Sequence, residues 1–259
     1  MGRRPSKQAV KAIRVSLALL ALAAALWAAI FDRGAIAADN ANVDVQLVLA
    51  VDASGSVNNA RFELQKQGYA AAFRNPQVIR AIASGGEQAI AVTMVQWTGP
   101  FLHVQAVPWT LIKDEASARA FADAIAAAPR ELFGGGTSIS GAIDMGMSLL
   151  AQSPYKSQRR TIDISGDGIN NRGRSVTDAR DDAVAAGIGI NGLPILSLDP
   201  ALDTYYRNSV IGGPGAFMIP AADYENFADA ILKKLILEIA GDPNDPNISK
   251  WGAVLAKSP

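Results

Sequence analysis

Residues 45–56 read Val-Gln-Leu-Val-Leu-Ala-Val-Asp-Ala-Ser-Gly-Ser, and this stretch decides the predicted fold. A short run rich in Val and Leu that ends abruptly in small residues predicts a buried strand rather than a helix. It favours a central strand of a parallel sheet, because such strands are buried on both faces. Open α/β sheets place their ligand sites at the carboxyl ends of strands, so the side-chain oxygens that follow Val51 would lie at such a site.

The oxygens directly after this strand belong to Asp52, Ser54 and Ser56. One hard carboxylate and two hydroxyls at alternate positions suit a hard divalent cation, so Mg²⁺, Mn²⁺ or Ca²⁺ would be preferred over Zn²⁺ or copper. The alternative interpretation is that Asp52 or Ser56 only caps the helix that follows. The local sequence alone does not separate these two interpretations.

The composition indicates one globular domain with tails. The chain has 259 residues, 49% of them hydrophobic and 19% charged, which is enough to bury a full core. It has no cysteine, which excludes disulfides, thiolate metal sites and cysteine chemistry. Residues 1–37 carry six basic residues and one acid, which leaves a net charge of −5 for residues 38–259. Nucleic-acid binding through a basic surface is therefore not expected.

Residues 1–37 are predicted to direct export. Five basic residues are followed by an uncharged run rich in Ala and Leu at residues 15–30. The Ala-Ile-Ala that ends at Ala37 has the form of a signal-peptidase site, so cleavage after Ala37 would give a periplasmic or secreted protein. The alternative is an uncleaved segment in which residues 15–31 form an inner-membrane anchor, although this run is slightly short for a span.

Apolar periodicity divides the chain after Ser56 into alternating strands and helices, which predicts an α/β fold. A turn at Gly99-Pro100 joins two strands into a hairpin, so the second of them is predicted to be an antiparallel edge strand. Strands are predicted at residues 88–97, 101–109, 159–165, 188–196 and 216–220. Helices are predicted at residues 58–76, 114–128, 139–150, 175–187, 203–211 and 224–240.

Two further oxygen-bearing side chains stand at such element ends. Thr137 follows three glycines, which let the backbone approach a ligand closely, and it would lie at the start of a helix. Asp167 lies between glycines after a predicted strand. The alternatives are that Thr137 or Ser138 only caps the helix, and that Asp167 only forms a turn. Asp163 lies within the strand and is expected to be a structural carboxylate rather than a ligand.

Together these residues resemble the von Willebrand factor type A (VWA) domain that carries a metal-ion-dependent adhesion site (MIDAS). In that family the first strand ends in Asp-x-Ser-x-Ser, a glycine loop supplies a Thr, and the fourth strand ends in an Asp followed by Gly. The resemblance covers residues 43–240, and its motifs are similar to those of an exported bacterial branch of undefined function. Gly166 departs from the commoner Thr-Asp-Gly and is expected to be able to shift the loop of Asp167.

The resemblance implies a Rossmann-like, doubly wound, mostly parallel sheet with one antiparallel edge strand and helices on both faces. The VWA domain would occupy residues 43–240, and the Asp-Pro and Asn-rich composition after Gly241 predicts a disordered tail at 241–259. The family further implies a six-coordinate cation, Mg²⁺ or else Mn²⁺ or Ca²⁺, with one position open to an Asp or Glu carboxylate of a partner protein. Its implied ligands, direct or through water, are Asp52, Ser54, Ser56, Thr137 and Asp167. The predicted function is a metal-dependent, adhesion-type protein-binding module of the bacterial cell envelope.

Enzymatic activity is not expected. The only histidine, His103, is predicted on the edge hairpin, away from the strand ends that would form a site, so a Ser-His-Asp triad is not expected. The glycine loop before Thr137 lacks the Lys of a phosphate-binding loop. Two alternatives remain beside the binding module: a structural VWA domain whose metal only stabilises loops and, less favoured, a metal-assisted hydrolase.

Overall fold

The structure is a computed structural model and describes residues 41–241. The segment predicted to direct export and the predicted tail after Gly241 lie outside the described residues. None of the described helices is long and apolar enough to cross a lipid bilayer. The strands are β1 (Val45–Asp52), β2 (Ile90–Trp97), β3 (His103–Ile112), β4 (Arg160–Gly166) and β5 (Gly189–Pro194). The helices are α1 (Asn59–Arg74), α2 (Pro76–Ala83), α3 (Glu115–Ala127), α4 (Ile139–Ala151), α5 (Val176–Ala185), α6 (Leu202–Tyr205) and α7 (Phe227–Ala240), with a π-helical turn at Tyr206–Val210.

The run of Val and Leu in β1 forms the central strand of a five-stranded sheet, as predicted. The strand order is β3-β2-β1-β4-β5. Strands β2, β1, β4 and β5 are parallel, and β3 pairs with β2 in the antiparallel direction. Every residue of β1 is buried, which explains why its sequence is almost continuously apolar rather than alternating. The predicted fold class is therefore confirmed.

Helices cover both faces of this sheet. Successive side chains of a strand point to opposite faces, and β1 uses both. Leu47 and Leu49 belong to an apolar cluster shared with α1, α2, α3 and α7, whereas Val48 and Ala50 belong to a second cluster shared with α4, α5 and α6. The two layers hold the carboxyl edge of the parallel strands in a fixed position, and that edge carries the polar loops.

Two local elements differ from the predicted pattern. Pro76 ends the first helix but also opens α2, because a proline in the first turn of a helix loses no backbone hydrogen bond. The side chain of Asn75 caps α2 by accepting a hydrogen bond from the backbone N of Gln77 at 2.8 Å. The strand predicted at residues 216–220 is reduced to a single isolated bridge, which joins Met218 to Gly192.

A buried ion cluster joins β4 to α7. The Nζ atom of Lys234 lies 2.6 Å from Asp163 Oδ1 and 2.5 Å from Glu238 Oε1, and all three side chains are buried. Asn191 Nδ2 donates a hydrogen bond to Glu238 Oε1 at 2.8 Å. Burial, together with the nearby charge of Glu238, raises the pKa of Asp163 to about 7. Asp163 is therefore a structural carboxylate, as predicted.

Candidate metal centre

Asp52 is the last residue of β1, and its side chain is fully buried at the carboxyl edge of the sheet. Its Oδ1 atom accepts a hydrogen bond from the backbone N of Ser54 at 2.7 Å, which forms a tight turn directly after the strand. Its Oδ2 atom is buried without a hydrogen-bond partner among the described residues. Burial and the negative charge of Asp167 raise the pKa of Asp52 to about 7. A buried carboxylate with an unpartnered oxygen is an arrangement that a cation would stabilise.

A chain of oxygens connects this loop to the end of β4. The hydroxyls of Ser54 and Ser56 lie 3.1 Å apart, and Ser56 Oγ donates a hydrogen bond to Asp167 Oδ1 at 2.5 Å. Ser56 and Asp167 are 111 residues apart in the chain. They meet because β1 and β4 are parallel neighbours, so the loops that leave them lie at the same edge.

Other residues supply the helix caps near this site. Asn58 caps α1 and Ser138 caps α4, each through its own side-chain oxygen. The interpretation in which Asp52, Ser56 or Thr137 is only a helix cap is therefore wrong. The side-chain oxygens of Asp52, Ser56 and Thr137 cap neither α1 nor α4.

The glycine loop and Asn171 position Thr137. The backbone N of Thr137 donates to Asn171 Oδ1 at 2.9 Å, and the backbone N of Asn171 donates to the Thr137 carbonyl at 2.9 Å. Gly135 and Gly136 have φ angles of 106° and 86°, a region that favours glycine. Thr137, Ser56 and Asp167 line one open depression of about 410 Å³. The structure thus brings the five predicted site residues together at one edge.

The donor set fits a hard divalent cation. No three His, Cys, Asp or Glu side chains converge as metal ligands within residues 41–241, so an ion at this edge would depend on hydroxyls as well as carboxylates. Two carboxylates and three hydroxyls are hard oxygen donors of the kind that Mg²⁺, Mn²⁺ and Ca²⁺ accept. Hydroxyls are neutral, so such an ion would keep positive charge with which to attract a further carboxylate.

A family model described as "Protein of unknown function (DUF1194)" matches residues 42–243. The chain belongs to this family. No curated protein matches the sequence of this DUF1194 protein. Its structure, however, is similar to solved structures of VWA domains.

The pilus adhesin SpaC from Lactobacillus rhamnosus GG matches with a TM-score of 0.53 at 16% identity, over 78% of this chain and 31% of the adhesin. A von Willebrand factor type A protein from Catenulispora acidiphila matches with a TM-score of 0.52 at 14% identity, over 77% of this chain and 43% of the Catenulispora chain. Proximal thread matrix protein 1 from the mussel byssus, with a zinc-occupied MIDAS motif, matches with a TM-score of 0.52 at 15% identity. This match covers 78% of this chain and 47% of the mussel protein. The DUF1194 chain spans less than half the length of these three proteins. The likeness confirms the predicted VWA fold.

Asp167 has two further partners that the sequence analysis missed. Tyr224 donates its hydroxyl hydrogen to Asp167 Oδ2 at 2.8 Å, and Arg61 Nη1 lies 3.8 Å from the same oxygen. Burial raises the pKa of Tyr224, so it remains a neutral donor. Neither residue belongs to a motif. The one available signal was the position of Arg61 in the first turn of α1, five residues after Ser56.

Gly166, the departure from the commoner motif, leaves Asp167 in contact with Ser56. It is the last residue of β4 and pairs with Pro194, so Asp167 still reaches Ser56. A Cβ atom at Gly166 would lie 3.0 Å from Asp52 Oδ2 and 3.1 Å from the hydroxyl of Tyr206. In this DUF1194 protein a glycine therefore leaves room for the carboxylate of Asp52.

His103 lies at the carboxyl edge, and the prediction that it lies away from the strand ends is wrong. The hairpin is tight, so β3 starts with His103 opposite Trp97, which is itself opposite Asp52. The imidazole packs on α4, where a Cβ at Gly141 would lie 2.9 Å from its Nε2 atom. Burial lowers the pKa of His103, and Nε2 has no hydrogen-bond partner among the described residues. Within the described residues this nitrogen therefore makes no hydrogen bond to a serine hydroxyl.

Proposed function

We propose that this protein is a divalent-metal-dependent, adhesion-type binding module of the bacterial cell envelope. Mg²⁺, or alternatively Mn²⁺ or Ca²⁺, would be held by the two carboxylates and three hydroxyls of the candidate centre and would bind an Asp or Glu of a partner protein. The observation that carries the proposal is Asp52 Oδ2, which is buried without a partner beside a second carboxylate. The ligands would be Asp52, Ser54, Ser56, Thr137 and Asp167.

The carboxylates and the hydroxyls have different roles at this centre. Asp52 supplies a buried carboxyl whose Oδ2 atom has no hydrogen-bond partner among the described residues, whereas Asp167 is oriented by Ser56, Tyr224 and Arg61. The hydroxyls add oxygen donors without adding charge. When bound, the cation supplies the positive field that attracts and orients a partner carboxylate. The solved structures that resemble this fold include a pilus adhesin and a VWA domain, which supports binding rather than catalysis.

Export and domain organisation belong to the same proposal. The basic and apolar composition of residues 1–37 supports a signal segment cleaved after Ala37, and the alternative is an inner-membrane anchor at residues 15–31. The binding domain would span residues 43–240, with an unstructured tail at 241–259. SpaC is a pilus adhesin, and Mfa5 of Porphyromonas gingivalis, whose vWF domain matches with a TM-score of 0.50, is a pili tip protein. These similar structures support a protein-binding role at the cell surface.

Isothermal titration of the metal-stripped protein with Mg²⁺, Mn²⁺, Ca²⁺ and Zn²⁺ tests the metal centre. We expect saturable binding at one site, abolished by Asp52→Ala and retained by Asp123→Ala, which removes an exposed carboxylate paired with Arg74. Zinc is included because the mussel protein holds it in a MIDAS motif. Absence of binding by the folded wild-type protein would overturn the proposal.

Water exchange at bound Mn²⁺ separates a binding centre from a purely structural one. An open coordination position holds an exchangeable water, which enhances the relaxation of solvent protons. We expect this enhancement in the Mn²⁺-loaded protein and expect a carboxylate-bearing peptide to reduce it. A bound ion without exchangeable water would mean that the metal only stabilises the loops.

A further inference from the structure

The large apolar side chains that are exposed in residues 41–241 all lie on loops around the candidate metal centre. Two occur in the turn between β2 and β3, one precedes the glycine loop, one follows Asp167, and one follows β5. With their exposed fractions they are Phe101 (93%), Leu102 (46%), Phe133 (65%), Ile169 (47%) and Leu198 (52%). We call these five residues the apolar rim. Exposed apolar groups concentrated at one edge mark an interaction surface more often than scattered ones do.

Two members of the apolar rim share a cavity with the metal centre. Ile169 and Leu198 line the same open depression as Ser56, Thr137 and Asp167. A carboxylate that enters this depression therefore brings its neighbouring atoms against aliphatic side chains. The chemistry next to the acid becomes part of the recognition.

The turn between β2 and β3 brings Leu102 against the glycine loop. The backbone N of Ser138 donates to the Thr98 carbonyl at 2.7 Å, which fixes the turn to the residue after Thr137. A Cβ at Gly135 would lie 2.6 Å from Leu102 Cδ1, so Leu102 packs directly on the loop. This side of the rim is held at a fixed place relative to Thr137.

Arg130 connects Phe133 to the Asp52 loop. Its guanidinium lies 4.9 Å from the centre of the Phe133 ring and donates hydrogen bonds to the carbonyls of Ala53 and Ser54 at 3.1 and 3.3 Å. The aromatic ring, although exposed, is therefore positioned by the same loop that carries the metal-centre oxygens. A positioned exposed aromatic side chain suits a binding contact.

The charges around the depression limit how acidic the partner segment can be. Two arginines favour an incoming acid: Arg61, which lies near Asp167, and the exposed Arg172. Arg172 packs against the glycine loop, since a Cβ atom at Gly136 would lie 2.5 Å from its Cγ atom. Asp199 also lines the depression and would repel a strongly acidic segment. One acid flanked by apolar side chains matches this combination better than a run of acids.

We infer that the partner presents an extended protein segment in which a single Asp or Glu is flanked by large apolar side chains that pack on the apolar rim. This inference rests on the proposed function, because the acid would bind the cation. The rim would then set the sequence preference, while the cation sets the requirement for an acid.

A displayed library of random linear peptides, selected on the full-length protein in Mg²⁺ and eluted with EDTA, tests the inference. We expect the enriched peptides to carry one Asp or Glu with Phe, Leu, Ile or Trp close to it. A synthetic enriched peptide should bind Ile169→Ser/Leu198→Ser more weakly by about tenfold or more, with unchanged Mg²⁺ titration. The matched control, Ile169→Leu/Leu198→Ile, keeps the apolar character and should retain binding.

Several outcomes would overturn the inference while leaving the proposed function intact. These are enriched acids without apolar neighbours, and equal peptide binding by the serine variant and the wild type. The wild type could also bind phosphatidylethanolamine–phosphatidylglycerol vesicles or self-associate in sedimentation. If the serine variant lost either property, the apolar rim would bind a membrane or a second copy of the chain, and the inference would be overturned. Failure of Mg²⁺ to bind is a different result and would overturn the proposed function itself.

Discussion

Two carboxylates stand at the same edge of the sheet, but their surroundings differ. Asp167 receives hydrogen bonds from Ser56 and Tyr224 and lies near Arg61, so its charge is largely compensated. Asp52 receives a backbone hydrogen bond on one oxygen only, and its pKa is raised to about 7. The fold therefore tolerates an unfavourable carboxylate at Asp52, as is common where a ligand completes a site.

The space above this carboxylate makes Gly166 a sensitive position. In Gly166→Ala the new Cβ would lie 3.0 Å from Asp52 Oδ2 and 3.2 Å from Trp97 Cζ2, both closer than ordinary contact. We expect a loss of about 1–3 kcal/mol in the free energy of unfolding, as for other overpacked buried sites, and weaker Mg²⁺ binding. Urea denaturation and Mg²⁺ titration measure the two effects.

Gly168→Ala is the matched control for this substitution. A Cβ at Gly168 would approach Thr137 Oγ1 no closer than 3.8 Å, which is ordinary van der Waals contact. It lies two residues further along the chain, on the loop that follows β4. If the two variants lost stability and Mg²⁺ affinity equally, the crowding of Asp52 would not be the cause.

The residues of the centre were predictable to different degrees. Asp52, Ser54 and Ser56 lie within one loop, so their spacing alone was informative, and Asp167 followed a recognisable strand. Tyr224 was not predictable as a partner of Asp167, because the two residues are 57 positions apart and only the packing of α7 brings them together. Local patterns reveal oxygens on one loop, whereas contacts between distant elements depend on the tertiary structure.

At the level of elements, α7 is attached to the sheet by charge as well as by apolar packing. Lys234 lies on the buried face of the helix with Ile231, Leu235 and Glu238. The sequence pattern predicted the helix but not this ion cluster, because lysines are rarely buried without partners. The i, i+4 spacing of Lys234 and Glu238 within the apolar stripe was the available signal, and its partner Asp163 lies on a distant strand.

Lys234→Met removes the positive charge of this cluster at a similar side-chain length. Asp163 and Glu238 would then remain buried without their cation, which typically costs about 3–5 kcal/mol in the free energy of unfolding. For a domain of this size that corresponds to a fall in Tm of roughly 6–20 °C. Thermal and urea denaturation measure the change.

The adjacent Lys233 provides the control for this prediction, because it is exposed on the same helix. Lys233→Met should change stability by less than about 0.5 kcal/mol, as surface substitutions usually do. The combined variant Asp163→Asn/Lys234→Met/Glu238→Gln should recover part of the loss, since no buried charge is left unpaired. Equal stability of Lys234→Met and wild type would contradict a stabilising role of the lysine.

At the scale of the whole molecule, two buried carboxyls make the stability of the metal-free protein depend on pH. The pKa values of Asp52 and Asp163 rise from 3.8 to about 7 on folding, so the folded state binds more protons than the unfolded state between these values. The stability contributed by these groups is therefore full below about pH 4 and falls as the pH rises to about 7. We expect the metal-free protein to have a higher Tm at about pH 5 than at about pH 7.5, with a smaller difference in Asp163→Asn. The lowered pKa of His103 acts in the opposite direction, but it is one group against two, so a Tm that rises with pH in the metal-free protein would contradict the shifts of Asp52 and Asp163.

A divalent cation should weaken this pH dependence, because it competes with the proton for the buried carboxylate of Asp52 but not for that of Asp163. At about pH 7.5 and a hundredfold excess over Kd, Mg²⁺ should stabilise the folded state by about 2.7 kcal/mol. Below the Asp52 pKa of about 7, the apparent affinity should fall about tenfold for each pH unit, since the carboxyl must lose its proton to bind. Thermal unfolding with and without Mg²⁺ at about pH 5.5 and about pH 7.5 measures both effects.

Asp163→Asn should keep this metal-dependent shift because Asp163 lies outside the centre, whereas Asp52→Ala should lose it. Mg²⁺ stabilisation that was equal at both pH values would mean that Asp52 does not carry the cation.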